Sequence, residues 1–136
     1  VNVKQPIQSQ IFVPNDYYDF GTIAMNNGLV KQMFKLINQG QEPVLIKKVY
    51  TSCMCTKANL IRQDGFVAGS FGMPGHGAVV ARADVTVNPG EEFWVEAVFD
   101  PAAHGPAGVG QIERTITLAG GGRELLVVAI RANVTP

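Results

Sequence analysis

The sequence carries no excess of charge of either sign. Eleven lysines and arginines balance eleven aspartates and glutamates, so the formal net charge at neutral pH is zero. A protein that binds nucleic acid needs a basic surface to neutralise phosphates, so we expect no nucleic-acid partner. Long apolar runs are also missing: residues 125–130 form one of the longest, far short of the roughly 20 residues that span a bilayer. We therefore predict no transmembrane segment in this chain.

Catalytic signatures are scarce as well. The sequence has no nucleophile elbow for a Ser-His-Asp arrangement and no phosphate-binding Gly-Lys-Ser/Thr loop. Its glycine cluster at residues 120–122 fits a hairpin turn rather than the start of a helix. We predict that the protein is not an enzyme; thiol-disulfide exchange at Cys53 and Cys55 is the only chemistry that the residues would support.

Glycine and proline punctuate the chain. Fifteen glycines and eight prolines separate short blocks rich in β-branched residues, and 46% of all residues are hydrophobic. This pattern predicts one all-β domain, residues 1–136, folded as an antiparallel β-sandwich of about seven strands. Residues 57–77 lack a sustained period, which predicts a long loop between the third and fourth strands. We expect an interrupted edge strand at 10–13 and 17–23, and strands at 29–38, 44–50, 78–87, 92–99, 111–118 and 123–134.

Five short motifs follow one another along the chain. They are Tyr-Asp-Phe-Gly-Thr-Ile at 18–23, Phe-Lys-Leu-Ile-Asn-x-Gly at 34–40, Ser-Cys-Met-Cys-Thr at 52–56, Asn-Pro-Gly-Glu at 88–91 and Phe-Asp-Pro at 99–101. From about Tyr17 to the last strand, the set resembles the bacterial family DUF1573, a family of unknown function marked by a YDFGTI start and a Ser-Cys-Gly-Cys-Thr motif. The resemblance implies an immunoglobulin-like sandwich related to major-sperm-protein and HYDIN-type domains.

The same resemblance implies a cellular compartment. Proteins of this family are generally exported or lipid-anchored, so we expect a periplasmic or otherwise extracytoplasmic protein from which a signal peptide or lipid anchor has been removed. The chain departs from the family pattern in two places. Met54 stands where a glycine usually separates the cysteines, and the segment 65–77 is longer than the usual link. We look for function at these two departures.

Cys53 and Cys55 are the only cysteines. With one residue between them, a disulfide would be strained, because the usual Cα separation of about 5.5 Å must be met within a very small ring. A strained bridge suits thiol exchange, whereas two thiolates on one loop can share a soft metal ion. A structural pair that braces the loop is a third reading. The spacing leaves these alternatives open.

The expected topology brings the metal-binding residue types together. In an immunoglobulin-like sandwich we expect strand 29–38 to pair antiparallel with 44–50 and with 92–99, and 78–87 to pair antiparallel with 92–99. The loops at the corresponding strand ends then lie at one pole, and these loops contain both cysteines and both histidines of the chain. The predicted metal ligands are Cys53, Cys55, His76, Met73 and His104.

The types of these ligands favour copper. Thiolate, thioether and imidazole together select a soft ion, Cu(I) above all, whereas Cys2His2 without the methionine would equally suit zinc. A mononuclear site would use Cys53, Cys55 and His76, with Met73 or His104 completing it. The plainer alternatives are that Met73 packs the loop against the sheet and that His104 is an exposed turn residue.

These observations predict an extracytoplasmic copper-binding protein for storage, delivery or sensing. Its partners would be the metal ion and a metal-accepting or membrane protein. Two alternatives stay open: an adhesion or assembly module with structural cysteines, and a redox protein with a labile Cys53–Cys55 disulfide.

Overall fold

Short runs of alternating apolar and polar residues form ten β-strands in the computed structural model. The structure describes residue 3, residues 5–6, residues 10–75 and residues 82–136. The strands are β1 (Ile11–Phe12), β2 (Tyr17–Ala24), β3 (Val30–Asn38), β4 (Val44–Thr51), β5 (Thr56–Arg62), β6 (Val67–Phe71), β7 (Arg82–Val87), β8 (Glu92–Phe99), β9 (Gly110–Ala119) and β10 (Glu124–Thr135). Two short 3-10 turns, Met25–Asn27 and Gly105–Gly108, are also present. No helix in the described ranges is long and apolar enough to cross a membrane.

The strands form two five-stranded sheets. The first sheet has the order β1-β3-β8-β5-β6, and the second has the order β2-β10-β9-β4-β7. Neighbours are antiparallel throughout, except for β2 and β10, which run parallel. The predicted all-β sandwich is therefore confirmed, with ten strands in place of about seven.

The core lies between the two sheets. Strand β8 shows why: Phe93, Val95, Ala97 and Phe99 are all buried, and the residues between them are half-buried. Side chains of a strand alternate between its two faces, so this strand turns one apolar face inward. The second sheet contributes a matching face, on which Val128 and Ile130 of β10 have no exposed surface.

The predicted long loop at 57–77 is wrong in its first two thirds, which form β5 and β6. Strand β5 alternates after all: Thr56, Ala58 and Leu60 are buried, while the residues between them are more exposed. Its inward residues are small or polar apart from Leu60, so the alternation is weak in the sequence. Strand β6 pairs only with β5 at the edge of the first sheet, where glycines are tolerated.

Of the three predicted strand pairings, one is confirmed. Strand β3 pairs antiparallel with β8, from Val30 opposite Phe99 to Ile37 opposite Glu92. The other two are wrong, because β4 lies in the second sheet between β9 and β7, and β7 pairs with β4 rather than with β8. The turn after β3 thus crosses from one sheet to the other instead of closing a hairpin.

Asn38 secures this crossing. Its side chain is fully buried, and its Nδ2 donates to the carbonyl oxygens of Glu42 at 2.9 Å and Val87 at 3.0 Å. Its Oδ1 accepts a hydrogen bond from the Gly40 amide at 3.0 Å. Asn38 ends a strand of the first sheet and Val87 ends a strand of the second. One amide group therefore ties the two sheets together at this end of the sandwich.

We predict that Asn38→Ala lowers the free energy of unfolding by about 2 kcal/mol, because it leaves buried backbone groups without partners. Urea unfolding followed by circular dichroism measures this as a lower midpoint with an unchanged slope. The matched control is Asn26→Ala, which removes an exposed amide from a 3-10 turn and should leave the midpoint unchanged. Equal midpoints for the two variants would contradict the assignment.

Candidate metal centre

A four-residue connection, residues 52–55, carries both cysteines from the second sheet to the first. It starts where Thr51 lies opposite Ile116 of β9 and ends where Thr56 lies opposite Phe99 of β8. The buried Thr51 hydroxyl lies 2.9 Å from the carbonyl oxygens of both Cys53 and Thr56, which share its single hydrogen. These bonds satisfy backbone groups that a crossing segment would otherwise bury unpaired. They attach the cysteine turn to the last residue of β4.

Ser52, the first residue of this connection, is hydrogen-bonded to β9. The Ser52 amide donates to the carbonyl oxygen of Thr115 at 3.0 Å, and the Thr115 amide donates to the Ser52 hydroxyl at 2.9 Å. Within the turn, the Thr56 amide donates to the Cys53 carbonyl at 3.1 Å. Both cysteines are consequently buried, with 7% of Cys53 and 3% of Cys55 exposed.

His104 reaches the cysteines from the loop that follows β8. The amide of Asp100 donates to the Cys55 carbonyl at 2.9 Å, which attaches this loop to the cysteine turn. Two successive turns follow. The Ala103 amide donates to the Asp100 carbonyl and the Gly105 amide donates to the Ala102 carbonyl, and these turns return His104 toward the cysteines. His104 Nε2 lies 3.0 Å from Cys53 Sγ. His104 itself is exposed, so the cluster has one face toward solvent.

The three side chains are close enough to share one ion. The two Sγ atoms and a ring nitrogen of His104 all lie within 4.8 Å of one another. Donor atoms that bind one ion at about 2.0–2.3 Å lie roughly 3.5–4.6 Å apart. Cys53 Sγ and His104 Nε2, at 3.0 Å, are closer than two ligands of one ion, so this pair would move apart by about half an ångström to admit a metal.

Hydrogen bonds give the two thiols different pKa values. Burial raises the pKa of Cys53, but hydrogen bonds from Cys55 and His104 outweigh it and lower that pKa to about 7. Burial also raises the pKa of Cys55, and its hydrogen bond to the Cys53 sulfur raises it further. The Cys55 amide contributes as well, since it lies 3.3 Å from Cys53 Sγ. The cluster therefore has one thiol that ionises near neutral pH and one that resists ionisation.

Arg114 of β9 is the residue that the sequence reasoning missed. Its Nε donates to Cys55 Sγ at 3.4 Å, which places a permanent positive charge against the less acidic thiol. A signal was present in the sequence: Ile112, Arg114 and Ile116 fall on one face of a strand, and the arginine interrupts an apolar row.

Three of the five predicted ligands are brought together: Cys53, Cys55 and His104. His76 lies outside the described residues. Met73 is half-buried and follows Gly72, whose carbonyl accepts a hydrogen bond from the Thr51 amide at 3.2 Å. Met73 thus lies near the start of the cysteine turn, and its role as a ligand stays a prediction.

The family resemblance covers the first half of the sandwich, up to the start of β6. Residues 11–67 match the family described as "Protein of unknown function (DUF1573)". The resemblance is confirmed over this segment, which includes the cysteine motif. The match is shorter than the predicted span to the last strand, and it ends before His104 and Arg114. No curated protein matches the sequence.

Solved structures share the fold. A protein of unknown function from Porphyromonas gingivalis W83 matches 92% of this chain with a TM-score of 0.62 at 14% identity. This chain spans 46% of that protein, less than half of its length. The similarity shows the β-sandwich fold alone.

Two further structures match with lower scores. A GH5 xyloglucanase from Bacteroides ovatus matches with a TM-score of 0.46 at 9% identity, over 92% of this chain and 19% of the enzyme. A family 123 glycoside hydrolase from Clostridium perfringens matches with a TM-score of 0.48 at 10% identity, over 85% of this chain and 22% of the enzyme. Similarity at this level carries no functional argument.

We predict that the metal-free protein shows two separate thiolate titrations. As the pH rises, ultraviolet thiolate absorbance should increase first around pH 7, where Cys53 ionises, and again above the usual range of thiols, where Cys55 does. Cys53→Ser should abolish the lower step. His104→Ala should move it to higher pH, because the thiolate loses a hydrogen-bond donor. A single step with both cysteines present, at the pKa of an ordinary thiol, would contradict this description.

Proposed function

We propose that this protein binds a soft metal ion, Cu(I), at a mononuclear centre formed by Cys53, Cys55 and His104. The observation that carries the proposal is the convergence of these three donors within 4.8 Å, from two separate loops of the sandwich. The cysteines come from the crossing between β4 and β5, and the histidine comes from the loop after β8. Two thiols and an imidazole form a complete donor set for a soft ion.

The environment of the thiols supports metal binding over a purely structural role. A cysteine pair that only filled space would need no ionisable partner, yet Cys53 lies 3.0 Å from His104 and Cys55 lies 3.4 Å from Arg114. Both contacts favour the thiolate, which is the form that binds a metal. Both cysteines are also free rather than joined in a disulfide.

The number and type of donors support Cu(I) over zinc. Thiolate sulfur is a soft ligand that selects Cu(I), an ion stable with few ligands. Structural zinc sites almost always have four protein ligands, and the described residues bring together three. Zinc remains the alternative ion if His76 or another residue supplies a fourth donor.

We further propose that the domain is immunoglobulin-like, lies outside the cytoplasm, and stores, delivers or senses the metal as a binding protein rather than an enzyme. The match to DUF1573 and the sandwich fold support the immunoglobulin-like domain and the location outside the cytoplasm, because the resemblance to that family implies both. The exposed ring of His104 supports delivery, because it gives a metal-accepting partner a route to the ion. The partner would exchange ligands with the histidine before it displaces the buried thiolates.

We predict that the metal-free protein takes up one Cu(I) per chain in anaerobic competition with a chromophoric Cu(I) chelator. Cys53→Ser and Cys55→Ser should each weaken binding by more than the roughly 10- to 100-fold that is usual for residues behind the ligands. His104→Ala should weaken it less than either serine variant, since both thiolates remain.

The matched control is Met54→Leu, which alters the exposed residue between the cysteines and preserves all three donors. Its affinity should equal that of the wild type. Met73→Leu and His76→Ala, measured in the same competition, report whether the other two predicted ligands take part. A wild type that does not compete for Cu(I), or serine variants that bind as the wild type does, would refute the proposal.

The unequal acidity of the two thiols favours a second function, thiol-disulfide exchange. The Cys53 thiolate would attack one sulfur of a partner's disulfide, form a mixed disulfide and release one partner thiol. Cys55, deprotonated as it reacts, would then attack Cys53, form the intramolecular disulfide and release the second partner thiol. Two electrons pass from the cysteine pair to the partner.

Oxidised glutathione tests this second function. If it operates, the reduced protein should release two equivalents of reduced glutathione per chain, and Cys55→Ser should stop at the mixed disulfide after releasing one. A wild type that also stops after one equivalent would exclude the exchange function. That result would leave Cu(I) binding unaffected, because binding needs only the reduced cysteines.

A further inference from the structure

Arg114 occupies a position where the fold calls for an apolar side chain. On β9, Ile112, Arg114, Ile116 and Leu118 share one face, and the isoleucines and the leucine pack in or against the core. A charged group at an inward position is costly unless an opposite charge accompanies it. Arg114 is half-buried at this position, so a negative partner at this pole of the sandwich would offset the cost of burying its charge.

The cysteine pair supplies that partner once its thiols ionise. In the described part of the chain, Arg114 forms no ion pair with a carboxylate; its Nη1 donates to the Glu113 carbonyl at 3.0 Å and its Nε donates to Cys55 Sγ at 3.4 Å. Burial lowers the pKa of Arg114, but the hydrogen bond and charge of Cys55 and the charge of Cys53 outweigh it and raise that pKa. The guanidinium is a fixed counter-charge to the thiolates.

The two sides of the centre are occupied by different groups. His104 contacts Cys53, and Arg114 contacts Cys55. A thiolate sulfur has several lone pairs, so Cys55 can bind a metal and still accept the hydrogen bond from Arg114. His104 becomes a ligand when the ion binds, whereas Arg114, which has no free lone pair, stays beside the centre.

Charge balance then depends on the ion. Metal binding deprotonates both cysteines, so two thiolates and a neutral imidazole contribute a charge of −2 to the complex. With Cu(I) the centre has a charge of −1, and Arg114 brings the total to zero. With Zn(II) the centre is already neutral, and Arg114 leaves an uncompensated positive charge in a partly buried place. The arginine therefore stabilises the monovalent complex and destabilises the divalent one.

We propose that Arg114 is a specificity-determining residue, which makes the Cys53–Cys55–His104 centre select a monovalent soft cation over a divalent one. This inference rests on the proposed function, since it assumes that the centre binds a metal.

The test compares Cu(I), Ag(I) and Zn(II) binding to the reduced full chain, each by competition with a chelator. Arg114→Gln removes the charge and keeps a hydrogen-bond donor. It should weaken Cu(I) and Ag(I) binding by about 10- to 100-fold, the range usual for residues that hydrogen-bond to ligands. It should leave Zn(II) binding unchanged or strengthen it, because the divalent complex no longer faces a positive charge. Arg114→Lys should keep most of the wild-type selectivity.

The matched control is Arg131→Gln, which removes the same charge from the neighbouring strand β10. Arg131 lies opposite Glu113 in the register, donates to Tyr17 and Gln111, and faces away from the cysteines. Its selectivity should equal that of the wild type. Circular dichroism and thermal unfolding of each variant confirm that the sandwich is intact.

The outcomes separate this inference from the function on which it rests. If Arg114→Gln weakens all three ions equally, or weakens none, the inference is overturned while Cu(I) binding stands. If the wild type binds none of the ions, the proposed function itself has failed. A selective loss of Cu(I) and Ag(I), absent from Arg131→Gln, supports both.

Discussion

The four-residue crossing from β4 to β5 is the constraint on which the rest of the site depends. Because this connection between the two sheets is so short, it runs across the end of the core. Its side chains therefore point alternately to the interior and to solvent. Thr51 and Thr115 satisfy its polar backbone, which leaves the thiols of Cys53 and Cys55 as the groups turned inward. Burial of the thiols follows from the length of the connection.

Much of the site was predictable even though two strand pairings were not. The end of the sandwich at which a strand finishes depends on how many times the chain has reversed, not on which sheet the strand joins. Strand β4 runs opposite to β3 in either arrangement, so Cys53 and Cys55 arrive at the same end. The β3–β8 pairing was read correctly, and it brings the loop with His104 to that end as well.

The strand pairings and residues that were not predicted depend on contacts between residues far apart in the sequence, which local sequence patterns do not show. Whether a strand after a turn pairs with its neighbour or crosses to the other sheet is decided by groups such as the buried amide of Asn38, whose partner in β7 is far along the chain. Strands β5 and β6 were missed because small and polar inward residues weaken their alternation. Arg114 was missed because a charged residue in a strand is usually taken to face solvent.

Parallel pairing of β2 with β10 also determines how the domain responds to force. The two strands lie side by side from Tyr17 opposite Ala129 to Ala24 opposite Thr135. Tension applied through the two ends of the chain pulls such strands past one another along their length, so their hydrogen bonds are loaded together in shear rather than opened one after another. The β2–β10 pair would therefore resist such tension in shear, and the cysteine turn lies outside this pair, after β4, which β9 separates from β10.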